Sequence, residues 1–188
     1  GGYTNPNDVL IDYVVDPSLC TNLYFAKSGV AGNAIEIMPE THYELKDTRI
    51  RIPAGQIMGG VDVVLKDAFF ADPKSVNTSY VIPLRMTQVT GADSILLGTS
   101  VVNSPSWTTA SDWSTQPKNY VLYALKFVNP WHGQYLRRGV DTFANNGTST
   151  PRHQQYVEND EVVNLNTVAY MDNDLPLTVK DALGNNVT

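Results

Sequence analysis

Short runs of alternating apolar and polar residues follow one another along the chain, spaced at roughly ten residues. These runs predict strands at Val9–Val15, Tyr43–Leu45, Arg49–Ile52, Val61–Lys66, Tyr80–Val89, Tyr120–Val128, Gln134–Arg138, Val157–Leu165 and Pro176–Lys180. Gly184 and Asn185 have the composition of a hairpin turn. No long segment shows the period of an amphipathic helix. A short helical turn is predicted after Asp16-Pro17, and Asp67–Lys74 is interpreted as a loop or a short helical turn. The pattern therefore predicts an all-β protein.

Tyr120–Val128 is apolar on both faces, which predicts a central position in a sheet. Asn129-Pro130 ends this strand, because proline lacks an amide hydrogen. The next strand begins almost at once, so the junction is interpreted as the end of one β-domain and the start of another. Pro83 lies inside Tyr80–Val89, which favours an edge position or a bulge for that strand.

The predicted architecture is an immunoglobulin-like β-sandwich over residues 1–128, followed over residues 129–188 by the first strands of a second β-domain. The second part has too few predicted strands to close a sheet of its own, and an isolated strand pair has little stability. Both ends of the sequence fall inside predicted domains. We therefore expect a truncated second domain and a longer native protein.

Composition and net charge limit the classes of molecule that the chain is expected to bind. The chain has 188 residues, a formal net charge of -6 and 17% charged residues, which disfavours binding to nucleic acid or anionic lipid. No apolar run is long enough to insert into a membrane. The single cysteine, Cys20, lies between Leu19 and Leu23 and is interpreted as a buried structural thiol.

The segment Gly98–Pro117 is rich in Ser, Thr, Asn and Pro and contains two tryptophans. Sugars are recognised by flat aromatic faces beside amides and carboxylates, which stack on pyranose C–H groups and bind hydroxyls. The candidate carbohydrate-binding residues are Trp107, Trp113, Asp112 and Gln116, with Asn103 nearby. The alternative is that both tryptophans are local plugs that fasten the segment to the sandwich.

A second aromatic group comprises Trp131, His132 and Tyr135, which we expect to pack at the base of the second domain. Glu158–Glu161 is interpreted as a solvated loop or strand edge rather than a catalytic pair, and Asp172–Asp174 as a turn rather than a calcium site. No nucleophile, phosphate-loop or zinc motif is present in the sequence. No enzymatic activity, metal or cofactor is predicted.

Six segments together resemble a known family. They are Pro39–Leu45 (PETHYEL), Ile52–Gly55 (IPAG), Gly60–Leu65 (GVDVVL), Asp67–Asp72 (DAFFAD), Ser79–Met86 (SYVIPLRM) and Val121–Gly139 (VLYALKFVNPWHGQYLRRG). Their order and spacing resemble Bacteroidetes surface lipoproteins that begin with an immunoglobulin-like domain of unknown function. The last segment is similar to the junction of a subgroup that has a second β-domain. The resemblance implies that residues 129–188 begin a barrel-like domain, and that the immunoglobulin-like domain has a further N-terminal strand that is missing from this sequence.

The resemblance implies a location and a role. Such proteins are encoded in polysaccharide-utilisation loci, in positions like those of the SusE and SusF starch-binding proteins, and related domains precede chitinase-type hydrolases. The implied protein is a non-catalytic outer-membrane lipoprotein that binds polysaccharide, or presents it to an outer-membrane transporter complex. An accessory domain of a secreted glycoside hydrolase and a structural spacer without ligand are the alternatives. The family has no established set of ligand-binding residues that could be assigned to positions of this sequence.

Overall fold

The computed structural model describes residues 5–27, 29–76, 80–142, 147–177, 179–180 and 186–187. The chain divides into two compact units, Gly1–Lys126 and Phe127–Thr188. The sequence places this division slightly later, after Val128. The predicted hairpin turn at Gly184 and Asn185 lies outside the described residues.

In the first unit, three strands have the bounds that the alternation predicts: Val9–Val15, Tyr43–Leu45 and Arg49–Ile52. The strands are β1 (Val9–Val15), β2 (Tyr24–Lys27), β3 (Val30–Ala34), β4 (Glu36–Ile37), β5 (Tyr43–Leu45), β6 (Arg49–Ile52), β7 (Val63–Leu65), β8 (Tyr80–Thr90), β9 (Thr99–Ser100), β10 (Trp113–Thr115) and β11 (Tyr120–Leu125). In the described part of the chain, the single α-helix is α1 (Asp67–Ala71). Short 3-10 helices span Pro17–Cys20, Pro73–Val76 and Ala110–Asp112.

The main sheet of the first unit has the strand order β11-β8-β1-β6, and β4 pairs in parallel with β8. The pairs β2-β3, β5-β7 and β9-β10 complete the β structure. Buried apolar side chains come from several of these elements and from the helical turns: Val9, Ile11, Leu19, Met38, Tyr43, Phe69, Tyr80, Val81, Ile82 and Leu84. This arrangement confirms the predicted all-β sandwich.

Pro83 lies in the central strand β8, so the predicted edge position is wrong. Its carbonyl oxygen accepts a hydrogen bond from the Asp16 amide at 2.9 Å, which shows that its backbone faces the β1 side. On that side β1 pairs with β8 only as far as Leu84, whereas β4 reaches only Val81. Proline is tolerated because its missing amide faces the gap between two partner strands. The one register shift between β1 and β8 lies elsewhere, at Asp12/Tyr13.

The predicted central position of Tyr120–Val128 is also wrong, because β11 forms the edge of the main sheet and ends at Leu125. Within the described residues β11 pairs with β8 alone, in register from Tyr120↔Arg85 to Leu125↔Tyr80. Val121 and Tyr123 are exposed. Apolar alternation on both faces was therefore not a sufficient signal of a central strand.

The second unit has shorter pairings. Its strands are β12 (Gly133–Arg137), β13 (Val140–Thr142), β14 (Ser149–Pro151), β15 (Glu161–Thr167), β16 (Asn173–Asp174), β17 (Val179–Lys180) and β18 (Asn186–Val187), with a 3-10 helix at Val157–Asn159. They form the sheet β12-β15-β16 and the hairpins β13-β14 and β17-β18. The predicted closure into a barrel stays a prediction.

Two predicted strands of the second unit need correction. Val157–Leu165 is divided, because Val157–Asn159 turns as a 3-10 helix and the strand begins at Glu161. Asp160 separates the two parts and is buried, so it does not belong to a solvated loop as predicted. Its carboxylate pairs with Arg138 at 3.0 Å and accepts a hydrogen bond from the Gln154 amide at 2.7 Å. In the predicted strand Pro176–Lys180, residues 176 and 177 are not in a strand, whereas Val179–Lys180 forms β17.

Candidate functional site

The tryptophan loop, defined here as residues 98–117, closes on itself through β9 and β10. Gly98 has φ +76°, and a side chain there would meet Thr115 O and Pro117 N at 2.6 Å. Only glycine fits both the conformation and the space. The Lys118 amide donates to Leu96 O at 2.9 Å just outside this closure. The loop is therefore a fixed projection from the sandwich.

Three aromatic rings fasten this loop to the main sheet. The ring centroids of Trp107 and Trp113 lie 6.0 Å apart, and those of Trp107 and Tyr120 lie 5.8 Å apart in an edge-on arrangement. The Tyr120 hydroxyl also donates to Trp107 O at 3.0 Å. Tyr120 is the first residue of β11, so the ring cluster ties the loop to the sheet edge. Both tryptophans are half-buried.

Ser106 is held from two directions inside the loop. Its amide donates to the Asp112 carboxylate at 2.8 Å, and its carbonyl oxygen accepts from Trp113 Nε1 at 2.8 Å. The Val101 amide donates to Asp112 O at 2.9 Å. Trp113 and Asp112 thus fix the backbone that precedes Trp107, and their polar atoms are used inside the loop.

The turn that follows β1 is the second segment of the candidate site, beside the tryptophan loop. Asp16 caps the 3-10 helix Pro17–Cys20: its Oδ1 accepts from Ser18 N at 3.0 Å and from Ser18 Oγ at 2.6 Å. Asp16 Oδ2 pairs with Arg85 Nε at 2.5 Å. The hydrogen bonds from Ser18 and the pairing with Arg85 hold the pKa of Asp16 below its usual value. Asn22 follows with φ 57°, a left-handed conformation that asparagine tolerates better than most residues.

These two segments form the walls of an open concavity of about 470 Å³, which we call the Trp107 concavity. It is lined by Ser18, Leu19, Thr21, Asn22, Ser104, Pro105, Ser106, Trp107, Thr108 and Thr109. Its volume lies within the range of small-molecule sites, roughly 300–1,000 Å³. Most of the lining side chains carry a hydroxyl or an amide, and one carries an indole. An aromatic face beside many neutral hydrogen-bonding groups suits a polyhydroxylated ligand.

The four predicted site residues take different places. Trp107 lines the concavity, whereas Trp113, Asp112 and Gln116 do not. Trp113 and Asp112 support the loop from within, and Gln116 is exposed. The plug alternative describes Trp113 well, since its indole N–H is bound to Ser106 O, but Trp107 both packs on its neighbours and faces the concavity.

Ser18, Thr21 and Asn22 were not predicted as site residues. The sequence does indicate the turn that carries them, because Asp16 and Pro17 form a helix-start signal. It gives no local sign that this turn meets residues 104–109. A non-glycine residue at positive φ is a structural hint of function, since such conformations cluster at ligand sites.

The turn at Trp131 is built differently. Asn129 is buried and organises it: its Oδ1 accepts from Trp131 N at 2.9 Å, its carbonyl oxygen accepts from His132 N at 2.9 Å, and its Nδ2 donates to Tyr170 O at 3.1 Å. The Tyr135 hydroxyl donates to Trp131 O at 2.7 Å. The Trp131 side chain is 67% exposed, which corrects the expectation that it packs at the base of the second unit.

A cluster of ionisable groups lies at His42, Asp72 and Tyr80. His42 Nε2 lies 3.1 Å from Asp72 Oδ2, and the Tyr80 hydroxyl donates to the same oxygen. Burial and the hydrogen bond to Asp72 raise the pKa of Tyr80 to about 12, while that hydrogen bond holds the pKa of Asp72 below its usual value. Tyr80 is buried in the core, so this cluster braces the sandwich rather than facing a ligand.

Other candidate features do not form ligand sites in the described residues. Cys20 is buried and unpaired, and burial raises the pKa of its thiol, which disfavours the reactive thiolate. Asp172–Asp174 lies in and after a turn in which Asp172 O accepts from the Val168 amide at 3.1 Å. No group of three or more His, Cys, Asp or Glu residues suited to a metal occurs in the described ranges. Across those same ranges no helix is long and apolar enough to span a membrane.

A second cavity, of about 190 Å³, lies beside β11. It is lined by Gly60, Val61, Val63, Ile82, Leu84, Tyr123, Ala124 and Leu125. It is smaller than most ligand sites and offers almost no polar side chain to orient a ligand. The Trp107 concavity is therefore the stronger candidate.

Comparisons with known proteins place this geometry in a family context. Residues 1–93 match a family model described as an N-terminal domain, and residues 130–188 match the Domain of unknown function (DUF5627). A structural-genomics protein of unknown function from Bacteroides ovatus, with a crystal structure at 2.40 Å, shares 54% identity over 100% of this chain, with a TM-score of 0.87. These matches support a Bacteroidetes family of unknown function.

This chain spans 59% of the length of that Bacteroides ovatus protein. A second structure of unknown function from the same organism is 20% identical, covers 90% of this chain and 47% of its own, and has a TM-score of 0.41, too low to carry an argument. Comparison with curated proteins found no match. The first family match includes the Ser18–Asn22 wall of the concavity and ends before the tryptophan loop.

Proposed function

We propose that this chain is a non-catalytic, polysaccharide-binding part of a cell-surface protein in a bacterial glycan-uptake system, with its ligand in the Trp107 concavity. The observation that carries the proposal is the composition of that concavity. One indole lies among hydroxyl and amide side chains contributed by two segments that are distant in sequence. Such a surface offers both stacking and neutral hydrogen bonds to a sugar.

Preorganisation supports binding at this place. The tryptophan loop is fixed by its ring cluster, by Gly98 and by the hydrogen bonds of Asp112, so its side chains need little further ordering when a ligand binds. A rigid site loses less conformational entropy on association than a mobile loop.

The lining also favours binding over catalysis. Glycoside hydrolysis needs two carboxyl groups across the scissile bond, and none of the residues that line the concavity is acidic. The nearby carboxylates of Asp16 and Asp112 are bound to Ser18 and Ser106. A role in holding polysaccharide therefore fits this site better than a role in cleaving it.

The cell-surface location is the part of the proposal that rests on family resemblance. The supported family is one of Bacteroidetes proteins, and the resemblance to surface lipoproteins of polysaccharide-utilisation loci motivates the proposed outer-membrane location and transporter complex. Fractionation of cells that express the complete protein tests this location. Recovery in the outer-membrane fraction supports it, and recovery in the cytosol contradicts it.

Affinity electrophoresis of the purified chain in gels that contain plant, host or microbial polysaccharides tests binding. We expect at least one neutral polysaccharide to retard the protein. Trp107→Ala should weaken this retardation by about tenfold or more, which corresponds to about 1.4 kcal/mol. Trp131→Ala is the matched control, because it removes an exposed tryptophan outside the concavity, and it should leave the retardation unchanged.

Two outcomes contradict the proposal in different ways. If no polysaccharide retards the protein, the chain acts as a spacer without ligand. If Trp107→Ala leaves the retardation intact, binding takes place elsewhere. The sequence of the complete gene tests the remaining alternative, since an encoded glycoside hydrolase module would make this chain an accessory domain of an enzyme.

A further inference from the structure

We infer that the Trp107 concavity selects uncharged glycans and rejects those that carry uronic acid or sulfate groups; this inference rests on the proposed function and names its ligand class. It follows from the neutral lining of the concavity and from the carboxylates behind that lining, rather than from the shape of the concavity. None of the lining side chains is charged. A bound carboxylate or sulfate would lose water without gaining a cation in return, which is unfavourable.

Two carboxylates stand directly behind the lining residues. On one wall the Asp16 carboxylate binds both the amide and the hydroxyl of Ser18, at 3.0 and 2.6 Å. On the other wall the Asp112 carboxylate binds the Ser106 amide at 2.8 Å. Each carboxylate is therefore bound directly to a lining residue, one in each of the two segments that line the concavity.

One cation partly offsets these charges. Arg85 pairs with Asp16 at 2.5 Å from the side of β8, and Arg85 does not line the concavity. Among these three groups, the two carboxylates outweigh the one guanidinium. The overall net charge of -6 adds a weaker repulsion of polyanions. Both contributions oppose an anionic glycan, and neither repels a neutral one.

One of these carboxylates, that of Asp16, also favours a neutral glycan. Because Asp16 Oδ1 accepts the Ser18 hydroxyl hydrogen, the Ser18 oxygen is oriented with its lone pairs free to accept from a ligand hydroxyl. The pKa of Asp16 is lowered, so this orientation is maintained at neutral pH. The predicted ligand is therefore a neutral polysaccharide whose hydroxyls act as donors at Ser18.

The test compares one polysaccharide with its own charged derivative. The neutral polysaccharide that most retards the full chain is treated so that a fraction of its primary alcohols becomes carboxylates. At low salt we expect the oxidised polymer to bind at least about tenfold more weakly than the parent, with the difference shrinking at high salt as charges are screened. Equal or tighter Trp107-dependent binding of the oxidised polymer would overturn the inference.

A pair of charge variants separates the local effect from the effect of net charge. Thr109→Lys places a cation in the lining and should restore binding of the oxidised polymer by about fivefold or more. Gln56→Lys adds the same charge at an exposed turn away from the concavity and should restore little. Equal recovery in the two variants would overturn the local explanation.

The failure of this inference is distinguishable from the failure of the proposed function. If no polysaccharide of either kind binds, the proposed function is wrong and the inference with it. If both the neutral and the oxidised polymer bind equally and both lose binding in Trp107→Ala, the proposed function stands and only the charge selection is wrong.

Discussion

In the first unit the buried side chains are mostly apolar and come from strands and turns throughout the sandwich, whereas in the described part of the second unit the buried residues are the polar Asn129 and Asp160. The tryptophans follow the same division. Trp107 and Trp113 are half-buried in a ring cluster, while Trp131 projects from a turn that is fixed through its backbone. A packed scaffold and a preformed concavity thus occur together in the first unit.

This difference shows why an exposed tryptophan is not by itself the better ligand candidate. Trp131 presents more surface than Trp107, but the hydrogen bonds that fix it, from its amide to Asn129 and from Tyr135 to its carbonyl oxygen, are made by its backbone. Trp107 presents less surface, but neighbouring rings fix its plane and neutral polar side chains surround it. Ligand binding depends on this combination, because each polar contact fixes the orientation that the ring alone leaves open.

The largest expected effect comes from replacing a leucine by alanine, and the same replacement is made in each unit for comparison. Leu84→Ala removes a side chain that is 3% exposed in β8 and should lower the free energy of unfolding of the first unit by about 2–5 kcal/mol. Leu136→Ala removes one that is 48% exposed in β12 and should cost the second unit under about 1 kcal/mol.

Denaturant unfolding followed by tryptophan fluorescence reads each unit separately. A Trp131→Phe background reports the first unit, and a Trp107→Phe/Trp113→Phe background reports the second. Similar losses for the two leucine variants would contradict the assignment of the apolar core to the first unit.

The next largest effect is expected from removing the buried Asn129 side chain of the second unit. Asn129→Ala removes the acceptor for Trp131 N and the donor to Tyr170 O, and should lower the stability of the second unit by about 2–3 kcal/mol. Asn129→Asp keeps the acceptor and should lose less. Fluorescence of Trp131 during denaturant unfolding measures both variants. A loss below about 0.5 kcal/mol in Asn129→Ala would show that the turn does not depend on this residue.

A smaller effect is expected from pH. Tyr80 has a pKa of about 12 in the folded chain against 10.0 as its ordinary value, so the folded state favours the neutral phenol. The corresponding stability is fully present below pH 10 and is lost as pH rises from 10 towards 12, on the order of 2 kcal/mol. Tyr80→Phe should remove this decline. Denaturant midpoints of the first unit at several alkaline pH values measure it, and an unchanged decline in Tyr80→Phe would assign it to other groups.

Sequence reasoning identified the local elements well where alternation and turn residues agree. β1, β5 and β6 have the predicted bounds, and the turn after Asp16-Pro17 is present as a 3-10 helix. The position of each strand within the sheet was harder to predict from the sequence. Pro83 is central because two partner strands meet opposite it, which depends on pairing that no local pattern contains.

Only one of the two segments that line the candidate site was predictable from the sequence. The composition of residues 98–117 indicated Trp107, because aromatic and hydroxyl side chains are concentrated there. The partner wall at Ser18, Thr21 and Asn22 is distant in the sequence and comes close only through the fold. The roles of Trp113 and Asp112 as supports likewise follow from hydrogen bonds to Ser106, which composition does not reveal.

The most direct test of the central claim is a fluorescence titration with the neutral oligosaccharide derived from the polysaccharide that retards the chain. In the Trp131→Phe background, in which Trp107 and Trp113 report, we predict a saturable change in emission. In the Trp107→Phe/Trp113→Phe background, in which Trp131 reports, we predict no change. A response from Trp131 alone, or none from either background at concentrations that saturate retardation of the unsubstituted chain, would contradict binding in the Trp107 concavity.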